Sequence, residues 1–340
     1  MRMMTSIGIQ TSALRRVLRE ARCWIPNSLA TSLLKKAISW EDAADFLKEL
    51  KRLHARFRHP NVCDGCDEGD GLMKHEEVEV NTLVGDWRII AKIARGFFGF
   101  VYKATNINSS VKATLKKAMK LEKAEGLLKE ADIMKRLDHK NIVKLINVQE
   151  YQQCNQVVLI MEYMTGDPLS HRLAFQKNFS PNLALGIMKQ MASAFAYMHS
   201  KNIVHRDIKL GNMLCNDQLE VKIIDLGLAF VSTQSKQLYD LRGTQGYMAP
   251  EIFFHNSYTG PPADVWSLGI LFTQLLIGLE FDGLQIIKMS DDCTAYKVVY
   301  NPPPSASESL ASLLTAMLHE KPVERLTRGG GLIPFSNCSI

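Results

Sequence analysis

Long apolar runs are missing from this chain. No stretch approaches the roughly 18 consecutive apolar residues that a membrane-spanning helix needs, so no membrane span is expected, and no signal-peptide pattern is present. Cysteine is sparse. Seven residues are scattered at 23, 63, 66, 154, 215, 293 and 338, and Cys63/Cys66 is the one close pair. An odd, dispersed set argues against a disulfide framework and for a reducing compartment, which makes a cytoplasmic protein the expectation. Strong charge imbalance is missing too. With 41 Lys+Arg against 35 Asp+Glu the net charge is +6, compatible with anionic ligands such as nucleotides but no nucleic-acid footprint. What is there, 46% hydrophobic and 22% charged residues in a chain of 340, can bury a real core in one large domain or two modest ones. The first 24 residues hold five arginines and one glutamate. A mitochondrial transit peptide has that flavour, but a basic amphipathic helix of no targeting value is the commoner explanation.

Hydrophobic spacing divides the chain. Residues 13–24 and 28–58 read as helices, with Leu14, Val17, Leu18 and Ala21, and then Phe46, Leu47, Leu50 and Leu53, at helical intervals. Asp64 to Glu79 is polar and Gly- and acid-rich, and reads as a linker. From Trp87 the texture becomes strand-like: Trp87–Ile93, Phe100–Ala104, Val111–Lys116, then a charged helix at Leu121–Leu137 and strands at Val143–Val148 and Val157–Met161. After Gly166 helices dominate. One starts at Ser180-Pro181, with Ser as N-cap and Pro in the first turn, and runs to His199; others are Asp264–Gly278 and Leu310–Leu318. Strands first and helices later predict an α+β protein with two lobes joined near Glu162–Gly166.

The chemistry concentrates in His205-Arg206-Asp207-Ile208-Lys209-Leu210-Gly211-Asn212, followed by Asp225-Leu226-Gly227 and Ala249-Pro250-Glu251. Asp207 is a candidate base, Lys209 a candidate phosphate contact, and Asn212 and Asp225 candidate oxygen ligands for Mg²⁺, which needs few protein ligands beside water and phosphates. Phosphoryl transfer asks for these parts and for a phosphate cradle. Gly96-Phe97-Phe98-Gly99, between two predicted strands, offers one, because glycine lets main-chain N–H groups approach phosphates. Lys116 on the next strand would hold phosphates and needs a buried anion to stay charged. Glu130, on the following helix, is the candidate, with Glu122 and Glu125 as rivals; Lys117 is the rival to Lys116.

From about Trp87 to Arg325 the sequence resembles the eukaryotic protein kinase family, in its serine/threonine branch. The resemblance is carried by Gly96–Val101, Lys116/Glu130, His205–Asn212, Asp225–Gly227, Gly243-Thr244-Gln245-Gly246-Tyr247-Met248-Ala249-Pro250-Glu251, Asp264-Val265-Trp266-Ser267-Leu268-Gly269 and Arg325. It implies a two-lobed kinase fold at residues 83–335, with a small β-rich lobe at about 83–161 and a large helical lobe at about 166–335, behind a helical extension at 1–82. It implies ATP and Mg²⁺, with Ile93, Ala94, Gly96, Gly99, Val101, Thr114, Lys116, Glu130 and Leu214 around the nucleotide. Met161 would be the gatekeeper, and Glu162 to Met164 the hinge that hydrogen-bonds adenine. Asp207, Lys209 and Thr244 would be catalytic, Arg325 would pair with Glu251, and Asp264 would brace the catalytic loop. The partner would be a protein carrying Ser or Thr; tyrosine activity is not excluded. Gly211 stands where basophilic members often have Glu, so no strong arginine preference is expected. Arg206 before the base implies control by a phosphate on Ser232, Thr233, Ser235 or Tyr239.

Some features depart from the pattern. Ala94 replaces a loop glycine, Leu226 the usual Phe, and Thr114 the alanine that packs on adenine, whose extra bulk is expected to narrow the pocket or weaken ATP binding. Glu280–Pro304 is hard to match to the family, and the short tail after Arg325 predicts a short or missing final helix. A scaffold that keeps the fold for binding is the alternative function. Cys63-Asp64-Gly65-Cys66 after His59 resembles the start of a ZZ-type zinc finger, but there is no second Cys-x-x-Cys, and His59 or His75 would have to complete the four ligands. Residues 1–82 could be an interaction module with a partner of its own.

Overall fold

The computed structural model describes residues 78–96, 99–118, 121–151, 156–232, 237–255, 257–280, 283–289 and 295–325. The helices predicted at 13–24 and 28–58, the Cys63/Cys66 pair, Thr233, Ser235 and the tail beyond Arg325 lie outside these residues.

Strand periodicity builds the first lobe. Trp87 and Ile89 turn inward while Arg88 and Ile90 face solvent, the period of two that a half-buried strand requires. The sheet runs in the order β1-β2-β3-β4-β6-β5, all antiparallel. Its strands are β1 (Leu83–Val84), β2 (Trp87–Arg95), β3 (Gly99–Asn106), β4 (Lys112–Ala118), β5 (Leu145–Tyr151) and β6 (Gln156–Glu162). Strand β6 is apolar along nearly its whole length because both of its faces are covered. Val158 and Ile160 pack with Trp87, Ile89, Tyr102 and Leu115 on one side. Val157, Leu159 and Met161 join Leu127, Ala131 and Met134 of helix α1 (Leu121–Met134) on the other. Helix α1 ends three residues before the predicted Leu137.

The helical lobe grows around two buried helices. Helix α3 (Pro181–Ser200) buries Ala184, Ile187, Met188, Met191, Phe195 and Met198 at intervals of three and four. Ser180 occupies its N-cap position, but its side chain makes no cap bond. Helix α5 (Gly260–Ile277) is apolar almost all round and runs through the core. It begins four residues before the predicted Asp264, because Pro261 and Pro262 fill a first turn whose N–H groups have no helical partner. Helices α2 (Leu169–Gln176), α4 (Pro250–Phe254) and α6 (Glu308–Met317) complete the lobe, and Ser307 caps α6 by accepting from Leu310 N at 3.4 Å.

Short antiparallel pieces position the functional loops. Strand β7 (Asp167–Pro168) joins β9 (Met213–Cys215) and β10 (Val221–Ile223); β8 (Ile203–Val204) pairs with β11 (Phe230–Val231), and β12 (Gln237–Leu238) with β13 (Tyr258–Thr259). Between α5 and α6, where the sequence predicted no element, the chain forms a hairpin of β14 (Leu284–Lys288) and β15 (Tyr296–Tyr300). The sheet and the helical bundle form the two-lobed architecture that the sequence predicted. Their main chains meet where Val143 N donates to Ile223 O at 2.9 Å and Ile223 N to Asn141 O at 2.9 Å. Among the described residues no helix is long and apolar enough to cross a membrane.

One buried ion pair locks the far side of the helical lobe. Arg325 is 0% and Glu251 1% exposed, with Nη1–Oε1 at 2.6 Å and Nη2–Oε2 at 2.8 Å. The remaining donors go to the His319, Pro262 and Glu320 carbonyls, and the guanidinium lies over the Trp266 ring. Arg325→Met leaves Glu251 charged and buried, so it should cost about 3–5 kcal/mol in urea unfolding. Unchanged stability would contradict that role.

Candidate active site

The loop after β8 is bent at Arg206, which has φ +66°. A non-glycine residue in that region costs on the order of 1–3 kcal/mol, so something must hold it. Asp264 of α5, 1% exposed, does so from beneath. Its Oδ2 accepts from His205 N at 2.8 Å and its Oδ1 from Arg206 N at 2.9 Å, while His199 Nε2 lies 2.8 Å from Oδ2. Burial works against the Asp264 charge, but the hydrogen bond and charge of His199 outweigh it and hold the carboxyl below its ordinary range. His205 is buried on Phe195, and burial pushes its imidazole pKa down. As a neutral ring its Nδ1 accepts from Asp207 N at 3.2 Å.

This frame presents Asp207, whose carboxylate is fixed from three sides. Thr244 Oγ1 donates to Oδ1 at 2.6 Å; Lys209 Nζ is 2.8 Å from Oδ2; Asn212 Nδ2 donates to Oδ2 at 3.0 Å and to the Asp207 carbonyl at 2.8 Å. Lys209 Nζ also donates to Thr244 Oγ1 at 2.8 Å, closing a ring of three side chains. Because its amide nitrogen is spent on Asp207, Asn212 keeps its side-chain oxygen for another ligand.

Lys116 connects the lobes. Its Nζ lies 2.8 Å from both oxygens of Glu130 on α1 and 2.8 Å from Asp225 Oδ1. Burial opposes the ammonium, yet the two carboxylates overcome it and hold the pKa above that of an ordinary lysine. Glu130 shows the opposite balance: burial raises its pKa despite Lys116. For Asp225 burial is outweighed by Lys116, and the pKa falls. The rival Glu125 instead pairs with Lys129 at 2.7 Å on the solvent face. Asp225 also accepts from Gly227 N at 3.1 Å, and its side chain is 39% exposed.

The remaining predicted residues line the edge of the sheet and the join. Ala94, Val101, Lys116 and Leu159 form one row across β2, β3, β4 and β6. Ile93 is 51% exposed, one residue before that row. Gly96 N donates to Gly99 O at 2.8 Å, closing the turn, and a Cβ on Gly99 would overlap the Lys117 carbonyl. Thr114 pairs with Met161 between β4 and β6. Glu162 is tied down, its Oε1 accepting from Lys144 N at 2.8 Å and from Lys222 Nζ at 2.6 Å. Met164, just beyond, is half-buried, and Leu214 sits on β9 opposite Lys222. Of the hydroxyls predicted for modification, Ser232 is 1% and Tyr239 76% exposed.

Two contributors escaped the sequence reading. Lys222 fixes the join through Glu162. Asp240 sits against Arg206, with Arg206 Nη1 3.0 Å from each of its carboxylate oxygens. The one signal for Asp240 was an acid two residues before Arg242, which does not by itself point 34 residues back along the chain.

The model of the protein kinase domain family matches residues 87–332. The chain is 34% identical over 256 residues to CBL-interacting serine/threonine-protein kinase 13 of Arabidopsis thaliana, covering 73% of this chain and 50% of that protein. It is 33% identical over 265 residues to the probable serine/threonine-protein kinase MARK-C of Dictyostelium discoideum, covering 76% of this chain and 34% of the relative. A third relative, the probable serine/threonine-protein kinase pXi of Dictyostelium discoideum, is 31% identical over 253 residues. The chain thus spans half or less of the length of these curated relatives.

Acid should loosen the loop in two stages. His205 has a folded pKa below its ordinary 6.5, so the unfolded chain takes the proton first and stability falls as pH drops from 6.5 toward the folded value. Asp264 contributes fully above its ordinary 3.8 and loses that contribution as pH falls through its lower folded pKa. The unfolding temperature should therefore fall between about pH 7 and about pH 5, with a shallower slope in His205→Gln. Equal slopes in the two proteins would rule out His205 as the source.

Proposed function

The chain belongs to the protein kinase family, and from that premise we propose that it transfers the γ-phosphoryl group of ATP to a serine or threonine hydroxyl of a protein. The observation that carries this reading is the ring of Asp207, Lys209 and Thr244, with Asn212 on the same carboxylate.

Asp207 offers a carboxylate of fixed orientation, able to align an incoming hydroxyl and accept its proton. Lys209 adds a cation beside that carboxylate, where the charge of a transferring group can be met. Thr244 bridges the two and so couples the segment that would carry a peptide to the loop that carries the base. Lys116, kept charged by Glu130 and Asp225, suits phosphate oxygens. The free side-chain oxygen of Asn212 and the half-exposed carboxylate of Asp225 are hard ligands of the kind Mg²⁺ takes, so the donor set fits that ion. Bound there, Mg²⁺ would neutralise phosphate charge. The small lobe offers the nucleotide a site at the edge of its sheet, where Gly96 N meets Gly99 O and Ala94, Val101 and Lys116 lie in one row. The relatives' names support the serine/threonine class, and Gly211 supports acceptance of peptides without a preceding arginine.

A radiolabel transfer assay on a serine/threonine peptide library tests the reading. Asp207→Asn should lower the rate by roughly 10²–10⁴-fold, and Thr244→Val should lower it by about tenfold, a loss the size of one hydrogen bond to a charged group. Wild-type transfer no faster than that of Asp207→Asn would sink the enzyme reading in favour of a binding scaffold.

A further inference from the structure

The hairpin between α5 and α6 leaves one strand edge open. Met289 N donates to Ala295 O at 2.9 Å and Asn301 N to Gly283 O at 2.8 Å. Those two rungs fix the parity of the ladder between β14 and β15. Main-chain groups of Gln285 and Ile287 face β15, and those of Leu284, Ile286 and Lys288 face away. The outer edge of β15 is occupied: Val298 N donates to Glu320 Oε2 at 3.4 Å, and the Tyr296 hydroxyl to Glu320 O at 2.9 Å. Among the described residues no such contact reaches the main chain of Leu284 or Ile286. Ile286 is 41% and Ile287 42% exposed, and Met289 just beyond is 61% exposed. An edge of this kind templates another strand, and proteins guard such edges by keeping them short, bulged or charged. The six-stranded sheet does so at both ends: β1 is two residues long, and β5 carries a register shift between Leu145 and Asn147. Strand β14 has neither device, and its one charge, Lys288, stands at its end.

We propose that β14 is the contact through which a second copy of this chain binds, the two strands pairing antiparallel about a two-fold axis at Ile286. The inference is independent of the phosphoryl-transfer reading. Parity sets the register, because outward-facing main chain must meet outward-facing main chain. Ile286 therefore meets the partner's Ile286, and Leu284 meets the partner's Lys288. Each of these pairs exchanges two main-chain hydrogen bonds. In this register no charge meets its own copy. Lys288 lies across from the partner's Leu284, where its methylenes rest on apolar surface and its ammonium stays in water. A two-fold at Lys288 would set two ammonium groups face to face, and one at Leu284 would pair only the first residues of the strand. A copy of β14 thus supplies what the edge calls for, an apolar residue at the centre and an uncharged neighbour for Lys288. The hairpin is anchored to present this edge. Leu284, Val298 and Tyr300 pack on the cluster around Trp266 and Ile270, and the Tyr300 hydroxyl lies 3.0 Å from Thr273 Oγ1. A strand this short makes a small interface, so the dimer belongs to the weak, exchanging class.

Sedimentation velocity of the full chain from about 1 to about 100 µM tests this, a range that brackets a Kd on the order of 10 µM. Wild type should pass from monomer to dimer. Ile286→Pro removes an outward N–H but leaves the rungs between β14 and β15 intact. It should weaken association by about tenfold or more, since each copy loses a hydrogen bond. Charge exchange tests the register. Ile286→Lys and Ile286→Glu should each stay monomeric alone, because like charges meet across the axis, and an equimolar mixture of the two should dimerise. Unfolding within about 4 °C of wild type shows that each variant is folded. A wild type that is monomeric throughout, or one that dimerises no better than Ile286→Pro and Ile286→Lys, overturns the proposal. A mixture that stays monomeric while wild type dimerises overturns the two-fold at Ile286. None of these outcomes involves phosphate transfer, so an inactive protein that dimerises in this way upholds the contact.

Discussion

A single buried ammonium organises the small lobe and ties it to the large one. Lys116 touches Glu130 on α1 and Asp225 on the segment after β10, and Glu130, which is buried, would be costly to bury without it. Removing one partner from such a buried pair costs about 3–5 kcal/mol, more than any exposed contact on the same helix can offset. The Glu125–Lys129 pair on α1, by comparison, is exposed and screened by solvent, and contributes little. The rotation of α1 about its axis is therefore decided by which face carries Glu130 and the apolar residues Leu127, Ala131 and Met134, not by its surface charges. Moving α1 away strands a charge at Lys116 and opens the core at β6 together.

Asp264 plays the corresponding part in the large lobe, with main-chain amides as its partners. A helix apolar almost all round would not keep a carboxylate in its first turns without a use for it. Here both oxygens are committed, to His205 N, Arg206 N and His199. That commitment keeps a left-handed arginine in place, and the arginine's bend aims Asp207 outward. The two acid anchors have different electrostatic signatures: burial wins at Glu130, whereas His199 wins at Asp264. Asp207 and Lys116 are thus set by separate devices, the one through the loop that Asp264 braces and the other through Glu130 and Asp225.

Much of this was legible in the residue pattern. Strands β2, β3, β4 and β6 could be read from alternation and apolar runs, because each buries at least one face. Lys116 with Glu130 could be read as a strand lysine and an acid on the following helix, with rivals that the sequence left open, and the run from His205 to Asn212 through its resemblance to the kinase family. The hairpin β14–β15 could not: Gln285 to Lys288 are all exposed, so no burial imposes a pattern on them. The start of α5 was placed at Asp264, four residues late, because its first turn of Gly260, Pro261 and Pro262 carries no helical apolar spacing. Asp240 and Lys222 were invisible for a different reason. Their partners lie 34 and 60 residues away, and only the folded chain brings an ordinary surface-type residue onto a buried arginine or onto the join between lobes.

In the proposed function Lys116, Asn212 and Asp225 form one site for a magnesium–nucleotide complex, assembled by the Lys116 ion triad. The most direct measurement is thermal unfolding of the full chain with a non-hydrolysable ATP analogue, with and without Mg²⁺, for wild type and Asp225→Asn. Nucleotide at about 100 times its Kd should stabilise wild type by about 2.7 kcal/mol, only when Mg²⁺ is present, with little effect on the variant. Stabilisation that ignores Mg²⁺, or that is equal in Asp225→Asn, would contradict the account.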